Sequence, residues 1–409
     1  MKRFSTTDGR PVFVAIDVAK AKHHVLIELP DGKRTALSIG NTLAEFNKFA
    51  DRLELASPRC EVALEPTGDY HRPLANFLVR RGHNVQFVSS IATHRTREAL
   101  YNSWDKNDPK DAQVILHLLK GGVTQCYADP LQSGYQDLQE LLGTYSQIVR
   151  RKTRVHNSLM THFLPLYFPE AEPFLGKARA EWFLEVFLFA PCPAEVLKHS
   201  KATFLRKTVK NDEGRPTLRR RLVAEYYETA KESVGIPIEA GSIPMQMFRT
   251  ILQEYIGLVR LRLQLEKQIH QRLEASADYQ HLRTIPGIGP IVALTILSEA
   301  GDLRRFSHYR KFLKYCGFDL STSQSGMQRG TPQLSKRGNA RLRGAFWLAA
   351  RAAIMTGRNG FRKKFDTYVR RDPQNKDLRR KAYSAVAAKM ARVSYGLIKS
   401  GSEYRHLTA

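Results

Sequence analysis

The sequence predicts an α/β domain in the first third of the chain, a helical segment after it, and a mainly α domain at the end. Three observations predict this. Short apolar runs bounded by turn residues crowd between Val12 and Val88. Apolar residues at helical spacing dominate beyond Leu138. Near the start of the last third, a Gly-x-Gly turn joins two apolar helical runs in LRTIPGIGPIVALTILSEAG, 282–301. At 409 residues and 42% hydrophobic, the chain is long and apolar enough for several packed domains.

The elements follow in order. Val12 to Asp17 (VFVAID) reads as a buried strand, and His23 to Leu29 as a second, with PDGK at 30–33 as a hairpin turn. Thr35 to Ile39 is a third strand. NTLAEFNKFADRLELA is helical, with Asn41 or Thr42 as N-cap. Cys60 to Glu65 is a fourth strand, Tyr70 to Arg81 a helix and Asn84 to Val88 a fifth strand. Three strands, helix, strand, helix, strand is the order of a ribonuclease-H-like fold.

The middle reads as helical at Leu138 to Phe163 and Phe174 to Ala190, with a polar loop at 207–221. Met245 to Leu273 predicts one long helix. Its residues Ile251, Tyr255, Leu258, Leu265 and Ile269 follow a four–three alternation interrupted by Arg262, which suggests a coiled coil and hence oligomerisation. A long helix packed within its own chain fits the same pattern. The run at 282–301 predicts a helix-hairpin-helix with Ala293 on its close-packed side. Amides near Gly287 and Gly289 there could hold a phosphate without reading sequence, and an ordinary αα-hairpin is the alternative. RLRGAFWLAARAAIM, 341–355, predicts an amphipathic helix. Expected divisions fall at 1–128, 129–275 and 276–409.

The net charge is +26. Between Gly301 and Ala409 there are 25 Lys and Arg against 6 Asp and Glu, and between Leu320 and Phe365 ten basic residues and no acid. A solvated surface mixes signs, whereas a phosphate-contacting one excludes carboxylates, so a nucleic-acid partner is expected. Cys60, Cys126, Cys192 and Cys316 are scattered without a CxxC pair, which argues against a zinc site or disulfide framework and fits a reducing cytoplasm. No apolar run is long enough for a membrane span, and the opening MKRFSTTDGR lacks a signal-peptide core.

Asp17 ends the first strand, and Glu65 ends the fourth, which lies beside the first in this fold. In KNDPKDAQVILHLL, Asp108 and Asp111 are three apart on one helix face, with Pro109 suited to the first turn. Four converging carboxylates repel one another unless cations neutralise them, and hard oxygen ligands of this kind suit Mg²⁺. Paired Mg²⁺ ions clamp phosphodiesters. Singly, Asp108 and Asp111 are also good N-cap and first-turn residues, Glu65 a good turn residue, and Asp105 competes for a place in the cluster.

The loop DLSTSQSGMQRGTPQLSKRGNARLRG has no carboxylate after Asp319. Ser325 precedes Gly326, and Arg329, Lys336, Arg337, Arg341 and Arg343 are placed to surround a phosphate. Composition alone favours a phosphate-binding loop over a nucleophile, since no Ser–His–Asp arrangement is visible.

AIDVAK, LEPTGDY, NDPKDA, TIPGIGPIVALTILSEAGDLRRF and QSGMQRGTPQLSKRGNARLR together resemble the DEDD-type insertion-sequence transposases, the group that includes the Piv and MooV invertases. The resemblance covers roughly 10–160 and 245–360. It implies a RuvC-like N-terminal domain and a C-terminal transposase domain, with Asp17, Glu65, Asp108 and Asp111 binding Mg²⁺. It implies that Ser325 attacks DNA to form a phosphoserine intermediate, with Ser335 as fallback. It further implies a bridge RNA as guide, donor and target DNA as partners, homodimers or homotetramers with composite sites, and a cytoplasmic, nucleoid-associated bacterial protein. Competing expectations are a Piv-type invertase without guide RNA, a RuvC-like junction endonuclease that activates water, and a non-catalytic basic nucleic-acid binder.

Overall fold

The computed structural model describes residues 11–101, 108–127, 135–177, 181–209, 216–239, 241–321, 324–325, 328–329, 332–357 and 359–405. The chain divides into two compact units, 1–132 and 133–409.

In the first unit the elements are β1 (Phe13–Asp17), β2 (Lys22–Glu28), β3 (Arg34–Gly40), α1 (Leu43–Ala56), β4 (Glu61–Glu65), α2 (His71–Arg80), β5 (Asn84–Phe87), α3 (Ser90–Tyr101), α4 (Asp108–Lys120) and β6 (Gln125–Cys126). The sheet order is β3-β2-β1-β4-β5-β6. β1, β2 and β3 pair antiparallel, while β1–β4 and β4–β5 pair parallel. This is the ribonuclease-H-like, RuvC-like arrangement, with β6 added antiparallel at the edge. Thr42 is the residue that caps α1, accepting from the Glu45 amide. α3 and β6 were not expected from the sequence.

The central strands β1 and β4 are apolar on both faces because helices cover both. Val14, Ile16, Val62 and Leu64 face Phe46, Phe49, Leu53, Leu74 and Leu78 of α1 and α2. Ala15 and Ala63, on the opposite face, pack with Val114, Ile115 and Leu118 of α4. Side chains alternate along a strand, so Asp17 and Glu65 share the α4 side with Ala15 and Ala63.

The second unit is helical apart from short ladders. Its helices are α5 (Gln136–Ser158), α6 (Leu164–Tyr167), α7 (Glu172–Lys177), α8 (Glu181–Phe189), α9 (Pro193–Leu197), α10 (Lys201–Thr208), α11 (Pro216–Lys231) and α12 (Ile243–Leu273). They continue as α13 (Ala277–Arg283), α14 (Pro290–Ala300), α15 (Tyr309–Tyr315), α16 (Ala340–Met355), α17 (Gly360–Val369) and α18 (Lys376–Ser400). The loop expected at 207–221 is shorter than that. α10 takes its start and α11, opened by Pro216, takes its end, while 210–215 lie outside the described residues.

The α12 stripe corrects one expectation. Tyr255, Leu258 and Leu265 are buried in a core with Ile148 and Val155 of α5 and Phe183 and Phe187 of α8. Ile269 and Leu273 enter a second core with Leu142 and the C-terminal helices. Tyr145 bonds Glu266, and Arg151 pairs with Glu254, so α5 and α12 run antiparallel. The stripe read as an intermolecular coiled coil is covered by the chain's own helices. It supplies no free seam for an oligomer.

α13 and α14 form the expected helix pair, with Ala293 fully buried between neighbours. Gly287 has φ +87°, and a Cβ there would meet the backbone of α16 at Ala349 O and, at 2.6 Å, Ala353 N. Packing alone thus requires glycine at this position. Short ladders also lie around Ser325. β7 (Leu320–Ser321) pairs with β10 (Gln333–Leu334), and inside it β8 (Gln324–Ser325) pairs with β9 (Gln328–Arg329). These are nested hairpins.

Burial lowers the pKa of His23, His71 and His83 in the first unit. An unfolded histidine titrates near about 6.5, so these imidazoles take up a proton more readily once unfolded. Their contribution is complete above that pH and is lost as the pH falls toward the lower folded values. The melting midpoint is expected to drop between about pH 7.5 and about pH 5.5. Thermal denaturation checks this, and an unchanged midpoint contradicts it.

Candidate active site

The site is built from the C-terminal ends of β1 and β4, where ligands gather in open α/β sheets. Residues pair in register from Phe13 opposite Glu61 to Asp17 opposite Glu65. The two carboxylates therefore leave neighbouring strand ends toward the same side. Beyond Glu65, where β4 ends, the chain turns through Pro66 and Thr67 to Gly68, which has a φ of +50°. Beyond Asp17, the Ala19 amide donates to Nδ1 of the buried His23 and fixes the β1–β2 turn.

α4 lies across this side of the sheet. It begins at Asp108, as Pro109 in its first turn favours, and it carries Asp111 at 2% exposure. A cleft of about 590 Å³ is lined by Asp17, Glu65 and Asp111, together with Lys20, His94 and Arg97. Three of the four expected acids thus open on one cleft. The side chain of Asp108 and the whole of Asp105 lie outside the described residues.

Arg97, on the unexpected α3, is what sequence reasoning missed. Its Nη2 lies 2.5 Å and its Nε 2.6 Å from Oδ1 of Asp111, and its side chain is 12% exposed. A buried carboxylate needs such a partner. α3 buries only Thr93, so its weak apolar pattern hides both the helix and its arginine. Among the described residues no group of three or more His, Cys, Asp or Glu is arranged to hold a metal ion. Asp111 is turned to Arg97 instead. The donor set is nonetheless all hard oxygen, and the guanidinium marks a place where positive charge is stabilising. It fits a divalent ion in chemistry.

In the second unit, the backbone of Ser325 pairs with Gln328 in the inner hairpin, and the side chains of Ser325 and Arg329 lie outside the described residues. The hairpin base is rigidly tied. The Arg343 guanidinium donates to Lys336 O at 3.0 Å and fills the space where a Cβ on Gly317, at φ +75°, would stand. Arg341 pairs with Glu299 at 2.9 Å. Of the expected phosphate ligands, these two already serve the chain, while Lys336 and Arg337 are exposed. Ser335 accepts from the Arg337 amide, a turn-forming role.

Removing Arg97 leaves Asp111 buried and uncompensated. Arg97→Gln is expected to destabilise the first unit by about 3–5 kcal/mol, and adding Asp111→Asn to recover much of it. Denaturant unfolding of the single and double variants checks this. Equal stability of Arg97→Gln and the parent would show that the pair does not neutralise the site.

Two family models match. The one described as DEDD_Tnp_IS110, Transposase, covers 14–169, and the one described as Transposase IS116/IS110/IS902 family covers 279–366. The chain is 23% identical over 353 residues to the "Insertion element IS110 uncharacterized 43.6 kDa protein" of Streptomyces coelicolor, spanning 85% of each. It is 28% identical over 352 residues to the "Probable family 20 transposase" of Pseudomonas aeruginosa, spanning 85% of this chain and 86% of that one. T. thermophilus RuvC with a Holliday junction substrate aligns over 29% of this chain and 100% of that one, at 9% identity and a TM-score of 0.21. That score adds nothing to the strand order above. The first family model spans every element that carries the acids, the second spans the Ser325 hairpin, and together they cover more than half of the sequence. The chain belongs to the IS116/IS110/IS902 family of transposases.

Proposed function

We propose that this transposase excises and inserts its element by serine attack on DNA phosphodiesters, assisted by Mg²⁺ and directed by a bridge RNA. The observation that carries the reading is the register of Asp17 opposite Glu65, with Asp111 on the same cleft. Carboxylates are gathered there at a cost that a fold alone does not require.

Asp17, Glu65, Asp108 and Asp111 would hold Mg²⁺. When bound, the ion supplies neutralisation of charge at the scissile phosphate. For Asp111 to take part, Arg97 must release or share it. Ser325 is the nucleophile. Its Oγ forms a bond to phosphorus as the bond to the leaving deoxyribose oxygen breaks. The proton lost by the serine balances the one gained by that oxygen, which leaves a phosphoserine ester and a free hydroxyl. Attack by a hydroxyl after strand exchange reverses the step, so no ATP is consumed. Gly287, Gly289, Arg329, Lys336 and Arg337 contact backbone phosphate, while Arg341 and Arg343 also keep the hairpin base in place. Homodimers or homotetramers would supply composite sites.

Incubation of the protein with labelled donor and target DNA, its co-purified RNA and Mg²⁺, followed by denaturation, tests this reading. A covalent adduct mapping to Ser325 is expected, absent in Ser325→Ala. Asp17→Asn is expected to keep duplex binding and lose strand transfer by more than about a thousandfold. Recombination by Ser325→Ala at the parental rate would sink the serine mechanism, and cleavage without an adduct would leave a water-activating endonuclease. RNase treatment is expected to abolish strand transfer. Activity that survives it would instead mark an invertase that reads DNA through protein contacts.

A further inference from the structure

Among the described residues of the second unit, a cluster of three cations without an acidic partner lies away from the Ser325 hairpin, between α17, α18 and α15. Lys364 is half-buried on α17. Lys389 and Arg392 are three apart on α18 and so share a face. The Lys389 ammonium donates to Gly360 O at 3.3 Å and stands 5.6 Å from the Phe361 ring centre. The Arg392 guanidinium lies 4.7 Å over the ring of Tyr309, on α15. The neighbouring Phe361, Phe365, Val386 and Met390 belong to the C-terminal core, so the helices that carry the three cations are anchored.

Nothing acidic answers them among the described residues. α15 has no carboxylate, and the acids of α17 and α18, Asp366 and Asp377, pair with Arg362 and Arg380. Burial, and then the charges of Lys389 and Arg392, hold the Lys364 ammonium below its ordinary pKa. Three cations crowded without a counter-charge weaken the fold that carries them. Such an arrangement is stabilised when an anion from outside completes it.

We propose that Lys364, Lys389 and Arg392 form a clasp for a backbone phosphate of nucleic acid, a second contact separate from the motif residues of 282–343. Nucleic acid is the occupant the charge pattern favours. The surrounding stretch, 301–409, has 25 Lys and Arg against 6 Asp and Glu, and the family moves DNA. Helix α18 lies beyond the family-model match that ends at 366, which is why no motif singled the clasp out. The proposal rests on the chain handling nucleic acid and needs neither the Ser325 chemistry nor an RNA guide.

Lysine acylation followed by mass spectrometry, on the full chain, tests it with duplex DNA and with a structured RNA in separate arms. Lys364 and Lys389 are expected to lose reactivity when the nucleic acid binds, while Lys201, paired with Glu228 in the middle segment, keeps it. In parallel, duplex affinity is measured against salt for the variant carrying K364Q, K389Q and R392Q. Its log–log slope is expected to shrink by about 0.9 for each phosphate that the variant no longer neutralises, with a melting midpoint no lower than the parent's. Protection by DNA alone or RNA alone identifies the source of the phosphate. Unprotected lysines in both arms overturn the clasp, even if the triple variant folds poorly, because that measurement uses the unaltered protein.

Discussion

The parallel pairing of β1 with β4 is the constraint on which the site depends. It fixes Asp17 opposite Glu65, and the alternation of side chains then dictates which face they share. Slipping β4 by one residue would turn Glu65 to the other face and drive Val62 and Leu64 out of the core they fill with Phe49 and Leu53. Burial of these apolar residues therefore enforces the carboxylate geometry. Ala15 and Ala63 add the second half of the arrangement, since their small side chains let α4 approach the sheet and bring Asp111 to the cleft.

How much of this was legible in the sequence differs by element, for physical reasons. β1 and β4 were visible because two covered faces demand continuous apolar runs, the other three strands because short apolar runs sit between turn residues, and Glu65 and Asp17 were visible as acids ending such runs. α3 was not, because a helix that buries one threonine has no apolar stripe to read. With it went Arg97. The α12 stripe was correctly apolar, but periodicity shows which face is covered and not what covers it. Only tertiary packing reveals α5 and α8 there. The nested hairpins around Ser325 escaped because ladders of two residues carry no alternation to detect.

Several residues suspected of ligand binding turn out to have packing duties too. Gly287 lets the α13–α14 turn lie against α16, and Arg343 braces the hairpin through Lys336 O. Glu299 holds Asn339 and Arg341 at the start of α16. These ties make the region from α14 to α16 one braced unit, and a hairpin that presents a reactive group gains from such a base. A substitution at these positions would disturb packing whether or not nucleic acid is bound, so a fall in activity alone says little about whether they touch it.

The Arg97–Asp111 pair separates stability from chemistry in the same way. Buried ion pairs rarely outperform apolar residues of the same size, because removing both charges from water costs about as much as their attraction returns. α4 already buries Val114, Ile115, Leu116 and Leu118, and a further apolar side chain at 111 would serve the fold as well. A carboxylate kept at 2% exposure, on a cleft it shares with two more acids, is better explained by what the cleft has to bind. The arginine meanwhile supplies the positive charge that a carboxylate buried there needs.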